Sequence, residues 1–462
     1  VVAAIVIVAV TLAGGDDGDT TAEPPPTTER GDPTVITAGG GTRIGDAEVG
    51  DIARQMTAGL ASGDFEAYAE AFDLRGEALE AERLRFENWK EVPFARKEMV
   101  ALEFGDRAHD SGGGEVRTKA EVAFIHQIEG ADIRPVAEVY ELELVKEGPD
   151  APTRVVAMTG DELASGLYPQ PWDVGPIHVV TTERAVVIGF EEDAELLESR
   201  AGTIDAGVGG ALDDLAGVDD EPLARRVVVM VPAPGAEVTS LLAGTDGETI
   251  HEVAGLAYDQ MTAPLEDIEG NWLAPDDQDT FEGAGRVVLE REFVVEGRGI
   301  EELTRHETAH VVQYAWKAKN SEISAAHDAG EDLPGADFTR IPRWMVEGFG
   351  DYVGHGFAAG ATRSYEYDLA IAAARAGQAE LHDDSRTFYD GTNEDRDRRY
   401  GLGMTVFLYL EDTFGRETTL RFANRVFGAP SREAMERAYQ ELLGMDREQL
   451  EQAWRSWLTA RA

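Results

Sequence analysis

The chain has 462 residues, of which 43% are hydrophobic and 28% are charged, a composition typical of a globular protein with two or three domains. Its net charge of −48 at pH 7 would repel phosphate groups, which argues against nucleic acid and anionic membrane surfaces as partners. The sequence has no cysteine, which excludes disulfide bonds, cysteine-ligated metals and a thiol nucleophile.

The N-terminal residues 1–13, VVAAIVIVAVTLA, form an apolar run that is shorter than the ~20 residues needed to span a bilayer. No Met or basic segment precedes the run, so we expect it to be the remainder of a signal anchor or of a signal peptide. Both alternatives predict an extracytoplasmic protein, either held at the membrane by this segment alone or secreted. Residues 14–44 contain three successive prolines with Thr, Asp and Gly, a composition that predicts a disordered linker.

Residues 45–160 predict a first globular unit in which helices precede antiparallel strands. Helical spacing over 46–62 and 77–91 is followed by strand-like runs at 97–107, 115–128, 132–147 and 153–158. The segment AEVGDIARQMTAGLASGDFEAYAEAFD resembles the first helices of the NTF2-like (SnoaL-like) fold, and this resemblance implies a cone-shaped domain. Because the unit has no cluster of catalytic residue types, we expect an accessory role.

Residues 172–316 predict a small mixed sheet followed by a helix, and residues 317–462 predict an all-helical region. Strand-like runs lie at 177–190, 225–231 and 286–289, with a helical stretch at 192–216 and a helical or mixed segment at 250–261. Helical patterns after Glu347 lie at about 363–377, 400–413, 416–427, 431–444 and 447–460. The whole chain is therefore predicted to have an α+β fold.

The segment His306-Glu307-Thr308-Ala309-His310 carries the strongest chemical signal. Apolar residues around it recur at helical spacing, so the two histidines are predicted on one face of a helix with Cβ atoms about 6 Å apart. That arrangement lets both imidazoles bind one metal ion, and Glu307 is offset so that it can reach a water molecule at the ion. The alternative interpretation is a surface helix that carries two unrelated histidines.

A second segment, Trp344-Met345-Val346-Glu347-Gly348-Phe349-Gly350-Asp351-Tyr352, follows where a third ligand is expected. Together the two segments resemble the gluzincin zinc metallopeptidases, which include thermolysin and the membrane alanyl aminopeptidases, and most of all the peptidase MA-like bacterial members. The resemblance implies that Glu347 is the third Zn²⁺ ligand and that Asp351 hydrogen-bonds the far nitrogen of a ligand histidine, which would fix its tautomer. The alternative for Asp351 is an ordinary solvated carboxylate.

The stretch Tyr400-Gly401-Leu402-Gly403-Met404-Thr405-Val406-Phe407-Leu408-Tyr409-Leu410 resembles a segment of the aminopeptidases that begins with a tyrosine. The resemblance implies that the Tyr400 hydroxyl stabilises negative charge on the oxygen of the reacting carbonyl. The alternative is a tyrosine that caps or packs a helix start. His355 and His382 are further candidates for the same role.

The sequence departs from the gluzincin pattern in two respects. The gap between His310 and Glu347 is longer than in thermolysin or the aminopeptidases, and we expect its extra residues, about 317–340, to form a loop over the cleft. A G-x-M-E-N motif, which binds the free amine of an aminopeptidase substrate, is absent. Its absence argues against an aminopeptidase and leaves an endopeptidase or an unassigned specificity.

The motifs together predict a zinc-dependent metallopeptidase that hydrolyses peptides or proteins, with water activated by the metal and Glu307 as general base. We expect the strand at 286–290 to lie at the edge of its sheet, where it could pair with an extended substrate. Two alternatives remain. One is a catalytically silent, zinc-containing binding or scaffold protein at the cell surface, and the other is a zinc hydrolase of a non-peptide amide.

Overall fold

The described part of the chain comprises residues 42–102, 109–110, 114–160, 169–218, 223–234, 254–259, 284–317, 329 and 341–462 of a computed structural model. The apolar run at 1–13, nearly all of the linker predicted at 14–44 and nearly all of the loop predicted at 317–340 lie outside these residues. Within them the chain has a mixed α+β fold, as the sequence predicted. No helix in these ranges is long and apolar enough to cross a membrane.

The first unit is a four-stranded antiparallel sheet preceded by helices. Its helices are α1 (Asp46–Ser62), α2 (Phe65–Tyr68) and α3 (Glu77–Glu91), and a short strand pair joins β1 (Thr42–Arg43) to β3 (His109–Asp110). The sheet order is β2–β4–β5–β6, formed by β2 (Phe94–Ala101), β4 (Val116–Ile128), β5 (Val136–Lys146) and β6 (Arg154–Gly160). The likeness of this unit to the NTF2-like cone stays a prediction.

Helix α1 shows why this unit folds as it does. Val49, Ile52, Met56 and Leu60 recur at helical spacing and are all buried, so one face of the helix is apolar. The helix ends before Gly63, whose φ of 68° is in the left-handed region that glycine adopts without strain. The apolar face packs against β2, the first strand of the sheet.

The second sheet has five strands in the order β10–β11–β9–β8–β7, and α4 (Pro171–Val174) precedes it. The strands are β7 (Ile177–Thr181), β8 (Ala185–Phe190), β9 (Val227–Met230), β10 (Gly255–Asp259) and β11 (Gly285–Leu289). β9 runs parallel to β8 and β11, whereas β7 and β10 are antiparallel to their neighbours. Every residue of β8 and β9 is buried, as expected for strands covered on both faces.

Among the described strands, β10 and not β11 lies at the edge nearest the candidate site, so the prediction of an edge strand at 286–290 is wrong. β11 pairs with β10 on one side and with β9 on the other, and all five of its residues are buried. The edge strand comes instead from the segment 250–261, which was predicted as helical or mixed.

Helices form a layer on one face of the second sheet and continue as the C-terminal region. α5 (Ala194–Leu215) packs against β8, and α7 (Ile300–Trp316), which follows α6 (Arg291–Glu296), packs against β10 and β11. The remaining helices are α8 (Arg343–Gly354), α9 (Ala358–Ala361), α10 (Tyr365–Arg375), α11 (Ser385–Tyr389), α12 (Asn393–Phe414), α13 (Arg416–Phe427), α14 (Arg432–Ala438) and α15 (Arg447–Thr459). The predicted C-terminal helices are confirmed, and α8 packs against both α7 and α12.

The first unit covers the other face of the second sheet. Alternate residues of a strand point to opposite faces, and Ile188, Met230 and Val288 of the second sheet belong to the same buried cluster as Trp89 and Phe124 of the first unit. The two sheets therefore share one hydrophobic core. The domain boundary near residue 160 stays a prediction.

A buried ion pair joins the two units inside this core. Nη1 of Arg286, on β11, lies 2.6 Å from Oδ1 of Asp132, in the turn between β4 and β5. The side chains of Arg286 and Asp132 are 1% and 0% exposed. Charges this deeply buried are tolerated only when they are paired, so each of the two residues depends on the other unit for its partner.

Candidate metal centre

The two histidines of the motif lie in the buried middle of α7. The helix begins at Ile300, directly after Gly297 and Gly299, which have left-handed φ values of 77° and 74°. His306 and His310 are each 1% exposed, and the Nε2 atoms of their rings lie 2.8 Å apart. The predicted spacing of one helical turn therefore brings both imidazoles to one point.

Helix α8 places Glu347 at the same point. Its Oε2 atom lies 3.6 Å from Nε2 of His306 and 3.7 Å from Nε2 of His310, and a ligand atom from each of the three residues lies within 4.8 Å of the others. α8 approaches so closely because residue 350 is a glycine. A Cβ at Gly350 would lie 2.6 Å from Nε2 of His306 and 2.8 Å from that of His310.

The other nitrogen of each imidazole has a protein partner. Nδ1 of His306 lies 2.9 Å from Oδ1 of Asp351, the contact that the resemblance implied. Nδ1 of His310 lies 2.9 Å from Oε1 of Gln313, whose Nε2 donates a hydrogen bond to the Val346 carbonyl. With Nδ1 as donor, each ring in its neutral form directs its Nε2 lone pair at the shared point. Gln313 was missed from the sequence, although its spacing from His310 was visible.

The residues present fit a zinc ion. In the described part of the chain, Oε2 of Glu347 and both carboxylate oxygens of Glu307 are buried without a hydrogen-bond partner. Buried carboxylate oxygens without a partner are costly, and buried polar groups in native proteins nearly always have one. Two imidazole nitrogens and one carboxylate oxygen that converge in this way are a donor set that Zn²⁺ accepts with a position left open.

Charges in the metal-free cluster are strongly coupled. Burial would lower the pKa of His306, but Asp351 and Glu347 raise it to about 10. Burial, together with the charge of His306, lowers the pKa of His310 to about 3. Burial would raise the pKa of Glu347, but His306, His310 and Arg343 hold it below its ordinary value. Asp351 and Glu347 therefore favour a positive charge at the position of His306 in the metal-free cluster.

Glu307 lies beneath the edge strand. A Cβ at Gly255, the first residue of β10, would be 3.4 Å from Cγ of Glu307. The carboxylate is completely buried, and burial raises its pKa to about 8, with the charges of Glu347 and Asp351 acting in the same direction and that of His306 opposing them. A pKa near neutrality suits a group that takes and returns a proton.

Two tyrosines approach the centre, only one of which was predicted. The hydroxyl of Tyr400, on α12, is buried without a hydrogen-bond partner among the described residues, and its ring centroid lies 6.2 Å from that of His306. Tyr389, on α11, donates a short hydrogen bond to Oε1 of Glu347. Nη1 of Arg343 lies 3.6 Å from the same oxygen. The i, i+4 spacing could have identified Arg343, whereas nothing in the sequence pointed to Tyr389.

The two other candidate histidines have partners outside the His306–His310–Glu347 cluster. The imidazole of His355 lies between Glu302 and Glu366, with Nδ1 in contact with the first carboxylate and Nε2 3.4 Å from the second. The backbone carbonyl of His382 accepts a hydrogen bond of 3.1 Å from the N–H of Trp344. Their observed contacts are structural.

A cavity of about 820 Å³ borders the centre. Its wall includes the first two turns of α7, which end at His306, together with Asp351, His355 and the start of α10 at Tyr365. Glu307, His310, Glu347 and Tyr400 are not part of this wall, so the cavity adjoins the centre on the side of His306 and Asp351.

No protein-family model matches the chain, and no curated protein matches it. Among solved structures, native yeast LTA4 hydrolase matches with a TM-score of 0.33 and 12% identity, over 69% of this chain and 42% of that chain. Yeast LTA4 hydrolase in complex with bestatin matches with a TM-score of 0.34 and 11% identity, over 80% of this chain and 60% of that chain. The chain thus spans about half the length of these structures, and at these values the likeness is too distant to assign a function.

Proposed function

We propose that the protein is a zinc-dependent metallopeptidase with His306, His310 and Glu347 as metal ligands and Glu307 as general base. The observation that carries the proposal is the convergence of the three ligand side chains in a buried site, with the unpartnered Glu307 carboxylate beside them. A bound zinc ion would supply a Lewis acid that polarises a carbonyl group and makes a water molecule more acidic.

The side chains of the site have separate tasks in peptide hydrolysis. Glu307, whose carboxylate is buried beside the three ligands, takes a proton from the attacking water and delivers it to the leaving nitrogen. Tyr400 donates a hydrogen bond to the carbonyl oxygen as that oxygen gains negative charge, and its unpartnered hydroxyl is available for this. Asp351 and Gln313 keep the imidazoles in the orientation that presents Nε2.

The edge strand β10 suits an extended substrate. Among the described strands β10 has a neighbour on one side only, and its first residue lies directly over Glu307. The Ala257 carbonyl of β10 already accepts a hydrogen bond from Tyr314, so a substrate would pair with the other backbone groups of the strand. A peptide paired with β10 would therefore carry a backbone carbonyl past the base. Together with the missing G-x-M-E-N motif, this placement favours an endopeptidase. We further propose that the protein acts outside the cytoplasmic membrane, since an apolar run and a Pro-rich tract precede the folded part.

Two variants test this proposal. Glu307→Gln removes the carboxylate of the proposed base, and Glu417→Gln, the matched control, removes a carboxylate from an exposed position on α13. The first variant should retain one zinc per chain and lose at least about 1,000-fold in cleavage of a mixed peptide library, whereas the second should match the wild type. Libraries with free and with blocked N-termini separate endopeptidase from aminopeptidase activity. Full activity of Glu307→Gln would contradict the mechanism.

Two alternatives are decided by the same experiment. A zinc-containing scaffold protein would bind the metal in wild type and variant alike and cleave neither library. A hydrolase of a non-peptide amide would also leave the peptides intact, but it would turn over simple amide substrates, and Glu307→Gln would abolish that activity.

A further inference from the structure

The two oxygens of the Glu347 carboxylate have different surroundings. Oε2 faces the Nε2 atoms of His306 and His310 at 3.6 and 3.7 Å and has no hydrogen-bond partner among the described residues. Oε1 points the other way. It accepts the short hydrogen bond from the Tyr389 hydroxyl, with the guanidinium of Arg343 3.6 Å away.

Tyr389 reaches Glu347 from a segment that we name the strap, residues 382–390, which connects α10 to α12. One end of the strap is fixed to the start of α8, because the carbonyls of His382 and Asp383 accept the backbone N–H groups of Trp344 and Arg343. An ion pair also joins Asp383 to Arg447 of α15, in which Nη2 of Arg447 lies 2.5 and 2.7 Å from the two carboxylate oxygens.

The other end of the strap is fixed to α12. Nη1 of Arg399 donates hydrogen bonds to the carbonyls of Phe388 and Asp390, the residues on either side of Tyr389. The ring of Phe388 packs edge-on against that of Tyr400 at 5.1 Å. The guanidinium of Arg343 lies 5.2 Å from the centre of the Tyr389 ring. The position of the Tyr389 hydroxyl is therefore set by three helices outside the strap, α8, α12 and α15.

We propose that Tyr389, together with Arg343, is a positioning residue that holds Oε1 of Glu347 and so makes Oε2 the single ligand atom of this carboxylate. The inference rests on the proposed function, in that it assumes that the cluster binds zinc. A carboxylate that binds through both oxygens fills two positions on a metal ion, whereas a catalytic zinc site needs three protein ligands and one open position. Holding one oxygen keeps that position open for the reaction.

Zinc affinity of the full chain tests this role without reference to catalysis. Tyr389→Phe removes the hydroxyl and keeps the ring, and it should weaken zinc binding by about 10-fold to 100-fold in competition with a chelator of known affinity, because a hydrogen bond to a ligand is lost. Arg343→Met should weaken binding in the same direction, since Arg343 contacts the same oxygen. The visible spectrum of the Co²⁺-loaded Tyr389→Phe variant should also change, because its intensity reports the number of ligand atoms.

Two matched controls remove a tyrosine hydroxyl elsewhere. The Tyr400 hydroxyl lies near the centre without a hydrogen bond to Glu347, and the buried Tyr439 hydroxyl lies at the end of α14, away from the site. Tyr400→Phe and Tyr439→Phe should bind zinc within about twofold of the wild type, with the Co²⁺ spectrum unchanged. Thermal melting of the metal-free proteins identifies any variant that fails to fold. If Tyr389→Phe does not fold, the zinc affinity of Arg343→Met tests the proposal instead.

The outcomes separate the two proposals. A wild-type chain that binds no zinc contradicts the proposed function and this inference with it. If the wild type binds zinc while Tyr389→Phe and Arg343→Met match its affinity and its Co²⁺ spectrum, the role of Tyr389 is overturned and the proposed function stands.

Discussion

The orientation of each ligand side chain at the centre is set by a hydrogen bond with a neighbouring residue. His306 and His310 could each present either ring nitrogen, and it is Asp351 and Gln313 that select Nε2. Glu347 could bind through one oxygen or two, and Tyr389 occupies one of them. The chemistry of the site is therefore determined as much by the neighbours of the ligands as by the ligands.

His355 illustrates a residue whose contribution should depend on pH. Burial alone would lower its pKa, but Glu302 and Glu366 raise it to about 10. Because the folded-state pKa exceeds the unfolded value, the protonated form stabilises the fold fully below about pH 6.5, and this contribution is lost as the pH rises through 10. His355→Gln should therefore reduce the free energy of unfolding more at pH 6 than at pH 10.

Denaturant unfolding of the metal-free wild type and of His355→Gln at the two pH values measures this difference, which we expect to be roughly 1–3 kcal/mol. The comparison cancels the titration of the other groups, because they are common to both proteins. An equal difference at both pH values would show that folding does not raise the pKa of this imidazole.

At the scale of single residues, the sequence predicted those site residues that lie close together along one helix. His306, Glu307 and His310 form one motif, and Glu347 and Asp351 are one turn apart on one helix, so helical geometry alone brings each set together. Tyr389 lies 42 residues from Glu347 on a helix of five residues. Its approach depends on where the strap is fixed, and no local pattern encodes that.

Among the secondary structure elements, α8 and α12 determine the distance between Glu347 and Tyr400. A Cβ on Gly348 would lie 2.3 Å from the carbonyl carbon of Gly403, and one on Gly403 would lie 2.4 Å from the carbonyl oxygen of Trp344. The two backbones are therefore in contact, and only glycine permits it.

Gly403→Ala should push α12 away from α8. We expect the free energy of unfolding to fall by about 1–3 kcal/mol, the usual effect of forcing a methyl group into a packed core. Denaturant unfolding of the metal-free protein provides the measurement. Gly202→Ala is the matched control, because nothing lies within 4 Å of a Cβ at this exposed position of α5, and it should stabilise by about 0.5–1 kcal/mol. Equal stability of wild type and Gly403→Ala would show that the helices can move apart at no cost.

Helices were easier to predict than the order of strands. The apolar spacing in the C-terminal region is repeated over several turns, so α12, α13 and α15 agree with the sequence analysis within a few residues at most boundaries. β10 and β11 are five residues each, and a run such as Arg286-Val287-Val288-Leu289 suits an edge strand or a central one. The strand order depends on which distant segments pair with each other, and the hydrophobic periodicity of a single segment does not predict its partner.

On the scale of the whole molecule, the first unit completes the core of the second sheet. The buried pair between Asp132 and Arg286 tests how strongly the two depend on each other. Asp132→Asn should lower the free energy of unfolding by about 3–5 kcal/mol, because Arg286 is left as a buried charge without its carboxylate. Replacing both residues, as Asp132→Leu with Arg286→Met, should recover only part of that loss, because Oδ2 of Asp132 also accepts the buried Ile128 N–H.

Equilibrium denaturation followed by tryptophan fluorescence checks this prediction, since Trp89 in the first unit and Trp316 in α7 report on opposite sides of the second sheet. In the wild type the first unit and the second sheet should unfold in a single transition, as expected for a shared core. Two separate transitions, with Asp132→Asn affecting only one, would mean that the units are independent.

The shared core also constrains how the protein is made. Asp132 leaves the ribosome 154 residues before Arg286, and the sheet that covers the apolar face of the first unit is incomplete until β11 has been synthesised. During that interval part of the apolar surface of the first unit is exposed, and exposed apolar surface promotes aggregation with another copy. A chain that ends before β11 is therefore the form of this protein most prone to aggregation.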